Sequence, residues 1–174
     1  MTTLTILTVC LGNICRSPTA EAALIEAAAE AGLDLQVRSA GTGSWHVGAP
    51  PDPRMTDAAA EVGLDLDGEA AQVEATMLAQ ADLVFAMDRS NLRDLQRLAS
   101  SADVSTPIHL FRDFDPEPGD GQVPDPYYGG PDGFAEVVAI CRRTAREVVG
   151  RLAEGELIDR ASTTGSGDDI DRPS

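Results

Sequence analysis

Lysine is absent from this sequence, in which all 13 basic residues are arginine. The absence excludes reactions that need a lysine amine, such as Schiff-base catalysis, and the lysine-containing P-loop of many nucleotide-binding proteins. Basic residues are also outnumbered by 29 acidic residues, which gives a formal net charge of -16. Because a field of that sign repels phosphate groups, we expect neither nucleic acid nor an anionic membrane as a partner.

Cysteine, histidine and long apolar runs are scarce as well. The chain has three Cys and two His without the paired spacing of metal ligands, so we expect no metal and no other cofactor. No run approaches membrane-spanning length, and residues 1–9 lack the pattern of a secretion signal. We therefore expect a protein of the reducing cytoplasm without membrane contact, and we expect it to be a monomer.

Strand and helix patterns alternate along the 174 residues, which are enough for one ordinary domain. Strand-like runs lie at 4–9, 37–40, 83–86 and 108–110. Helical patterns lie at 17–31, 54–62, 69–78, 90–98 and 132–154. This alternation predicts an α/β fold with a doubly wound parallel sheet, whose ligands bind beyond the carboxyl ends of the strands. We expect one domain at 1–154 and a disordered acidic tail at 155–174.

The first strand runs into the segment CLGNICRS, residues 10–17, which precedes the first helix. A loop that enters a helix points backbone N–H groups at one spot and so forms an anion site. Gly12 and Asn13 tolerate the unusual backbone angles of such a loop. Arg16 can hold two phosphate oxygens, and the same positive field favours a nucleophilic thiolate at Cys10. The alternative at this point is a buried structural cysteine.

Phosphoryl transfer to a thiolate also needs an acid that protonates the leaving oxygen, and an Asp can serve. Three Asp-Pro pairs are candidates, at Asp52, Asp115 and Asp125. Each pair is more often a plain turn than a catalyst, and spacing does not choose among them. The segment 112–131, which contains two of them, is long for a loop in a compact domain, and loops of that length are usually functional.

Four segments in order resemble the low-molecular-weight protein tyrosine phosphatases: VCLGNICRSP at 9–18, SAGTG at 39–43, AMDRSN at 86–91 and DPYYG at 125–129. The resemblance covers about residues 4–153. It implies a three-layer α/β/α fold, with a four-stranded parallel twisted sheet and a phosphate-binding loop after the first strand. It also implies metal-independent hydrolysis of phosphotyrosine in protein substrates through a cysteinyl-phosphate intermediate.

The same resemblance implies a role for each matching residue. Cys10 would be the nucleophile, Arg16 the ligand of the phosphoryl oxygens, and Asp125 the general acid and later the base for water. Ser17 would hydrogen-bond the Cys10 sulfur, and Ser39 would help to hold Asn13. The other residues of the phosphate-binding loop would be Leu11, Gly12, Asn13, Ile14 and Cys15. The slot for the aromatic ring would be lined by Leu11, Trp45, Tyr127 and Tyr128.

The chain departs from the family pattern at Gly68, where members usually place the His of a His-x-Ala-x-Gln pattern. That His would brace Asn13, so we expect a less rigid phosphate-binding loop, which a Gly68→His variant tests. Cys15 lies five residues after Cys10, which suggests a reversible Cys10–Cys15 disulfide under peroxide; a packed thiol is the other interpretation.

Two other functions remain open. A thiol-linked arsenate reductase shares the loop but passes its oxidation to further cysteines, and the next one after Cys15 is Cys141, on the apolar face of the last helix. A catalytically silent phosphotyrosine-binding module would use the loop only to hold an anion. Loss of Cys10 or Asp125 would mark such a module, and both are present. The physiological substrate stays open.

Overall fold

The structure, a computed structural model, describes residues 3–127 and 130–158. The strands in these residues are β1 (Leu4–Cys10), β2 (Leu35–Gly41), β3 (Leu83–Ala86) and β4 (Ile108–Leu110). The helices are α1 (Arg16–Ala31), α2 (Pro53–Ala60), α3 (Ala75–Gln80), α4 (Arg89–Ser101) and α5 (Pro131–Ala153), and a 3-10 turn covers Phe111–Phe114. Each strand and each α-helix overlaps the run from which the sequence predicts it, although α3 shares only residues 75–78 with its predicted helix.

The strands form one parallel sheet of four in the order β2-β1-β3-β4. Successive residues of β1 and β3 enter different apolar clusters, because side chains alternate between the faces of a sheet. Ile6 and Phe85 join the cluster that includes residues of α1, α2 and α5. Leu7 and Val84 join the cluster that includes residues of α3 and α4. The predicted three-layer α/β/α fold with a four-stranded parallel sheet is confirmed.

Several helix ends have a local cause. Asp52 accepts a hydrogen bond from the backbone of Arg54 at 2.8 Å, and Pro53 follows it, so α2 starts there. Asp88 forms a reciprocal capping box with Asn91 at the start of α4. The caps determine where α2 and α4 begin. Both helices begin on the side of the sheet where the strands have their carboxyl ends and where the candidate site lies.

The helix predicted at 69–78 is present only in its last part, because residues 69–74 are not helical and α3 covers Ala75–Gln80. The segment instead continues the edge of the sheet beyond β2. Gly41 donates to the carbonyl of Ala71 at 2.8 Å and accepts from Val73 at 2.7 Å. Pairing with a distant part of the chain has overridden the helical propensity of the Ala-Ala-Gln run.

The segment after α5 packs against the core with Leu157 and Ile158, both partly buried. The rest of the predicted acidic tail, residues 159–174, lies outside the described residues. The boundary at residue 154 therefore stays a prediction. Within residues 3–127 and 130–158, no helix is long and apolar enough to span a lipid bilayer.

Candidate active site

The phosphate-binding loop, residues 10–17, joins the end of β1 to the start of α1 and wraps around the sulfur of Cys10. The backbone N–H of Asn13 donates to Cys10 Sγ at 3.2 Å, and Ser17 Oγ lies 3.0 Å from the same sulfur. The N–H of Asn13, and Ser17 when its hydroxyl donates, can therefore stabilise negative charge on this sulfur during the reaction. Asn13 takes the left-handed conformation, with φ 59°, whereas Gly12 does not. Of the two residues expected to supply unusual angles, only Asn13 has a positive φ.

Arg16 begins α1 and is almost fully buried, with 3% of its surface exposed. Its Nη1 donates to Asp88 Oδ2 at 2.7 Å and to the carbonyl of Val123 at 3.3 Å. Its Nη2 lies 3.6 Å from Asp125 Oδ2. Burial acts to lower the pKa of Arg16, but the charge of Cys10 and the hydrogen bond to Asp88 outweigh it and raise that pKa. The guanidinium is therefore a permanent positive charge at the loop.

Asp88 is a functional residue that sequence reasoning missed. The segment at 86–91 contributes to the family resemblance, but no role for Asp88 follows from the sequence. In the structure its carboxylate both caps α4, through the backbone N–H of Asn91, and orients Arg16. The preceding strand β3 is adjacent to β1, which is why the start of α4 faces the phosphate-binding loop.

The three Asp-Pro pairs lie in different environments. The side chain of Asp115 is fully buried, with its oxygens 2.6 Å from Arg143 Nε and 3.0 Å from Arg112 Nε. Burial acts to raise the pKa of Asp115, but hydrogen bonds from Arg143, from the backbone and from Arg112 hold it below its ordinary value.

Asp52 is likewise held as an anion, because its hydrogen bonds with Arg54 lower its pKa. Asp125, in contrast, has a side chain that is 41% exposed and lies beside Arg16 in the cavity that contains Cys10. The geometry therefore favours Asp125, the residue that the resemblance implies, over the other two pairs.

A cavity of about 390 Å³ opens over the phosphate-binding loop. The residues that line it are Cys10, Leu11, Gly12, Ile14, Cys15, Arg16, Trp45, His46, Asp125 and Tyr127. Trp45 is 72% exposed and Leu11 is 42% exposed, so both present apolar surface to an incoming group. Tyr128 lies outside the described residues, and the structure does not test its predicted place in the slot.

His46 also lines this cavity, a position that the sequence analysis does not predict. Its ring lies 6.2 Å from that of Tyr127. A Cβ added to Gly12 would come within 3.0 Å of His46 Cδ2, so the small residue allows this approach. The only sequence signal for His46 is that it follows Trp45.

The ring of Tyr127, which lines the cavity, contacts the guanidinium of Arg54. The Arg54 guanidinium lies 5.3 Å from the centre of the Tyr127 ring and 4.8 Å from the centre of the Phe134 ring. Both distances are in the range of cation–π contacts. The backbone N–H of Tyr127 donates to Asp125 Oδ1 at 3.1 Å, which joins the wall of the slot to the candidate acid.

Asn13 is held from two sides. Its Nδ2 donates to Ser39 Oγ at 3.0 Å, so Ser39 lies where the resemblance places it. Its Oδ1 accepts from the backbone N–H of Ala71 at 2.9 Å, a contact that sequence reasoning missed. Gly68, with φ 88°, instead lines a cavity of about 110 Å³ beside Asn13. The loop thus has a brace from residue 71, and its expected lower rigidity stays a prediction.

The two remaining thiols are buried. Burial raises the pKa of Cys15 to about 12, with the charge of Asp52 adding to it, so its thiol is neutral at physiological pH. Cys141 is fully buried in the core, as expected, and burial also raises its pKa. Cys141 does not line the cavity that contains Cys10, so it offers an arsenate-reducing relay no accessible thiol. The Cys10–Cys15 disulfide stays a prediction.

No group of three or more His, Cys, Asp or Glu among the described residues is arranged to hold a metal ion. The family model described as low molecular weight phosphotyrosine protein phosphatase matches residues 5–157. The chain belongs to this family. The predicted enzyme class, a protein-tyrosine phosphatase, is thereby confirmed, and a cysteine nucleophile is characteristic of the family.

Several known proteins are similar to this phosphatase. The low-molecular-weight protein-tyrosine-phosphatase of Streptomyces coelicolor is 40% identical over 150 residues, which are 84% of this chain and 92% of that protein. A protein tyrosine phosphatase structure from Entamoeba histolytica has a TM-score of 0.84 at 35% identity, covering 88% and 99% of the two chains. A Drosophila structure described as an arginine phosphatase has a TM-score of 0.79 at 32% identity, covering 87% and 97%.

Proposed function

We propose that this phosphatase hydrolyses phosphotyrosine in proteins with Cys10 as nucleophile, Arg16 as ligand of the phosphoryl oxygens and Asp125 as general acid. One observation carries the proposal. The thiol, the guanidinium and an exposed carboxylate line the same cavity, whose lining also includes the aromatic residues Trp45 and Tyr127. No other Asp-Pro pair offers a carboxylate in that cavity among the described residues.

In the first step, Cys10 Sγ attacks the phosphorus while the bond from phosphorus to the phenolic oxygen breaks. The backbone N–H groups of the loop and the Arg16 guanidinium balance the charge on the three equatorial oxygens. Asp125 donates its proton to the leaving oxygen, so that tyrosine departs neutral. A phosphoryl group at Arg16 would compete with Asp125 for that guanidinium, which lies 3.6 Å from the carboxylate.

In the second step, water attacks the phosphorus of the cysteinyl-phosphate and gives a proton to the Asp125 carboxylate. The bond from phosphorus to sulfur breaks, and inorganic phosphate and the Cys10 thiolate result. Ser17 Oγ and the backbone N–H of Asn13, at 3.0 and 3.2 Å from the sulfur, stabilise the departing thiolate. The cycle therefore needs no group beyond those of the chain and one water.

The slot residues support an aromatic substrate. Leu11 and Trp45 offer apolar surface at the mouth of the cavity, and Tyr127 forms a wall beside Asp125. A phenyl ring can stack on such residues while its phosphate reaches the loop. The structural likeness to a Drosophila arginine phosphatase makes phosphoarginine the substrate to compare.

We also propose that the enzyme acts as a monomer in a reducing cytoplasm. Its Cys10, Cys15 and Cys141 are free thiols, as expected of a protein kept reduced. A net charge of -16 keeps copies of the chain apart.

The test is hydrolysis of an aryl phosphate, a phosphotyrosine peptide and a phosphoarginine peptide in EDTA. We expect the wild type to act on the first two substrates and Cys10→Ser to lose at least about 10⁴-fold in kcat. Asp125→Asn should lose about 10²- to 10⁴-fold on the phenolic leaving group and less on a more acidic one. Asp57→Asn, an exposed Asp on α2, is the matched control.

Several results would contradict the proposal. Turnover by Cys10→Ser would remove the nucleophile assignment, and an equal loss for both leaving groups in Asp125→Asn would remove the acid assignment. A folded wild type that binds phosphotyrosine without hydrolysing it would be a binding module. A preference for the phosphoarginine peptide would overturn the substrate class.

A further inference from the structure

A chain of four hydrogen bonds connects the Cys10 sulfur to a carboxylate outside the cavity. Ser17 Oγ lies 3.0 Å from the sulfur, and Asn13 Nδ2 donates to that oxygen at 2.8 Å. The same Nδ2 donates to Ser39 Oγ at 3.0 Å. Ser39 Oγ in turn donates to Glu21 Oε1 at 2.7 Å. Glu21 is on α1, one turn after Ser17, and it does not line the cavity over Cys10.

We propose that Glu21 is a positioning residue that sets the direction of this chain, so that the Ser17 hydroxyl donates to the Cys10 thiolate. The inference rests on the proposed role of Cys10 as nucleophile. Glu21 lies outside the four segments of the family resemblance and outside the lining of the cavity over Cys10.

The direction follows from the hydrogen-bonding capacity of each group. An ionised carboxylate only accepts, so the single hydroxyl proton of Ser39 points to Glu21. Ser39 Oγ can then only accept from Asn13, which must present its amide nitrogen. The Asn13 oxygen is already engaged by the backbone N–H of Ala71 at 2.9 Å. The orientation of the Asn13 amide is therefore determined, with Oδ1 as acceptor for Ala71 and Nδ2 as donor to Ser39 and Ser17.

The remaining step concerns the Ser17 proton. Because Ser17 Oγ accepts from Asn13, its own proton is free for the sulfur or for the carbonyl of Ala40, which is 3.3 Å away. A thiolate is the stronger acceptor, and hydrogen bonds to an ionised group are roughly twice as strong as neutral ones. If Glu21 no longer accepted, Ser39 could turn its proton elsewhere and Asn13 would lose its fixed acceptor. Ser17 would then donate to Cys10 for a smaller fraction of the time.

The surroundings of Glu21 leave it suited to this role rather than to an ion pair. The cavity of about 110 Å³ beside it is lined by Asn13, Pro18, Glu21, Pro51, Asp67, Gly68, Glu69 and Ala70, none of them cationic. Burial raises the pKa of Glu21 and the nearby charge of Asp67 adds to this, whereas the hydrogen bond from Ser39 acts in the opposite direction. Among the carboxylates that line this cavity, Glu21 is the one that accepts a hydrogen bond from Ser39.

The proposal and simple electrostatics predict opposite changes in the fraction of Cys10 that is thiolate when Glu21 is replaced. A negative charge at Glu21 acting through space would disfavour a second negative charge at Cys10, so its removal would make the thiolate more abundant. Loss of the hydrogen-bond direction would make the thiolate less abundant. Glu21→Met removes the charge and the acceptor together, whereas Glu21→Gln removes the charge and keeps an acceptor oxygen.

The experiment measures the rate at which iodoacetamide inactivates the enzyme at pH 6, together with kcat and the inhibition constant of inorganic phosphate. We expect Glu21→Met to slow inactivation and lower kcat by about 3- to 10-fold, the worth of one hydrogen bond, with phosphate inhibition unchanged. Glu21→Gln should retain most of both rates. Glu30→Met, at an exposed Glu on the same helix, is the matched control and should leave them unchanged.

A double-mutant cycle with Ser39→Ala separates this role from a general loss of structure. We expect Glu21→Met to have no further effect in the Ser39→Ala background, because the chain is already interrupted there. If Glu21→Met does not fold, Glu21→Ala takes its place in the same cycle.

Inactivation as fast as the wild type or faster, or full additivity in the cycle, would overturn the proposal. A failure of the proposed nucleophile would appear separately, as activity in Cys10→Ser.

Discussion

The proposed nucleophile, Cys10, and the proposed general acid, Asp125, are held by loops of different construction. In the phosphate-binding loop, the contacts to the Cys10 sulfur come from Asn13 and Ser17, which are three and seven residues away. The segment that carries Asp125 is instead held by Arg143 of α5, which reaches Asp115 across 28 residues, and by Arg16, which reaches Val123 across 107. The direct contacts to the Cys10 sulfur are therefore local, although Asn13 is itself braced by Ser39 and Ala71, whereas the segment of Asp125 is held mainly by distant contacts.

The comparison shows why the phosphate-binding loop can be recognised in the sequence, whereas the position of Asp125 relative to that loop cannot. Short-range hydrogen bonds need only the right eight residues between a strand and a helix. The position of the acid needs the whole fold, since α5 has to present Arg143 to a buried carboxylate. Four variants test this difference, beginning with the largest expected effect.

Asp115→Asn should lower the free energy of unfolding by about 3–5 kcal/mol, because it leaves Arg112 and Arg143 without the buried carboxylate between them. The hydrogen bonds of Arg143 and of Arg112 lower the pKa of Asp115 below 3.8, although burial opposes them. Its stabilising contribution is therefore present above that pH and is lost as the pH falls through the lowered pKa. Denaturant unfolding at pH 7 and pH 3 measures both effects.

Inactivation of Cys10 by iodoacetamide should stay at the wild-type rate in folded Asp115→Asn, while kcat falls. Asp120→Asn, at an exposed Asp of the same segment, is the control and should unfold like the wild type. A matching loss of Cys10 reactivity would mean that the two loops are not held independently.

Asp88→Asn should lower kcat/KM by about 10- to 100-fold, the worth of a charged hydrogen bond, because Arg16 loses the carboxylate that orients it. Asn caps helices about as well as Asp, so thermal stability should change little. Steady-state kinetics and thermal melts distinguish the two roles. Unchanged kinetics would show that Val123 and the loop orient Arg16 without Asp88.

Arg54→Gln should raise KM for a phosphotyrosine peptide by about 2- to 10-fold, since the cation behind the Tyr127 ring is lost. Inhibition by inorganic phosphate, which does not reach the slot, should stay the same. Arg146→Gln, at an exposed arginine of α5, serves as control. A change in phosphate inhibition equal to the change in KM would place the role of Arg54 in the loop instead.

Gly68→His tests the expected effect of the missing His, and the structure adds a necessary control. With φ 88° at Gly68, any side chain there brings backbone strain of about 1–3 kcal/mol. Gly68→Asn places a side chain that tolerates positive φ at the same position without an imidazole. We expect the His variant to be more stable than the Asn variant by about 1 kcal/mol, if the ring hydrogen-bonds Asn13. If Gly68→His and Gly68→Asn have equal melting temperatures and equal activities, the missing His does not weaken the phosphate-binding loop.

Sequence reasoning failed where distant segments meet. The Ala-rich run at 69–78 has helical propensity, yet residues 71 and 73 hydrogen-bond to Gly41 at the end of β2. His46 and Asp88 enter the site for the same reason, because the folding of the sheet brings them to the phosphate-binding loop. Nothing in their local patterns indicates these contacts.

The sequence by itself determined the alternation of strands and helices, the parallel sheet and the chemistry of residues 10–17. These follow from hydrophobic periodicity and from hydrogen bonds over a few residues, which local patterns encode. Only the tertiary structure distinguishes the environments of Asp52, Asp115 and Asp125, and so favours Asp125 as the proposed acid. A carboxylate that is paired with arginine in the interior and one that is exposed beside Arg16 have the same Asp-Pro signature, and their difference arises from groups that folding brings from far along the chain.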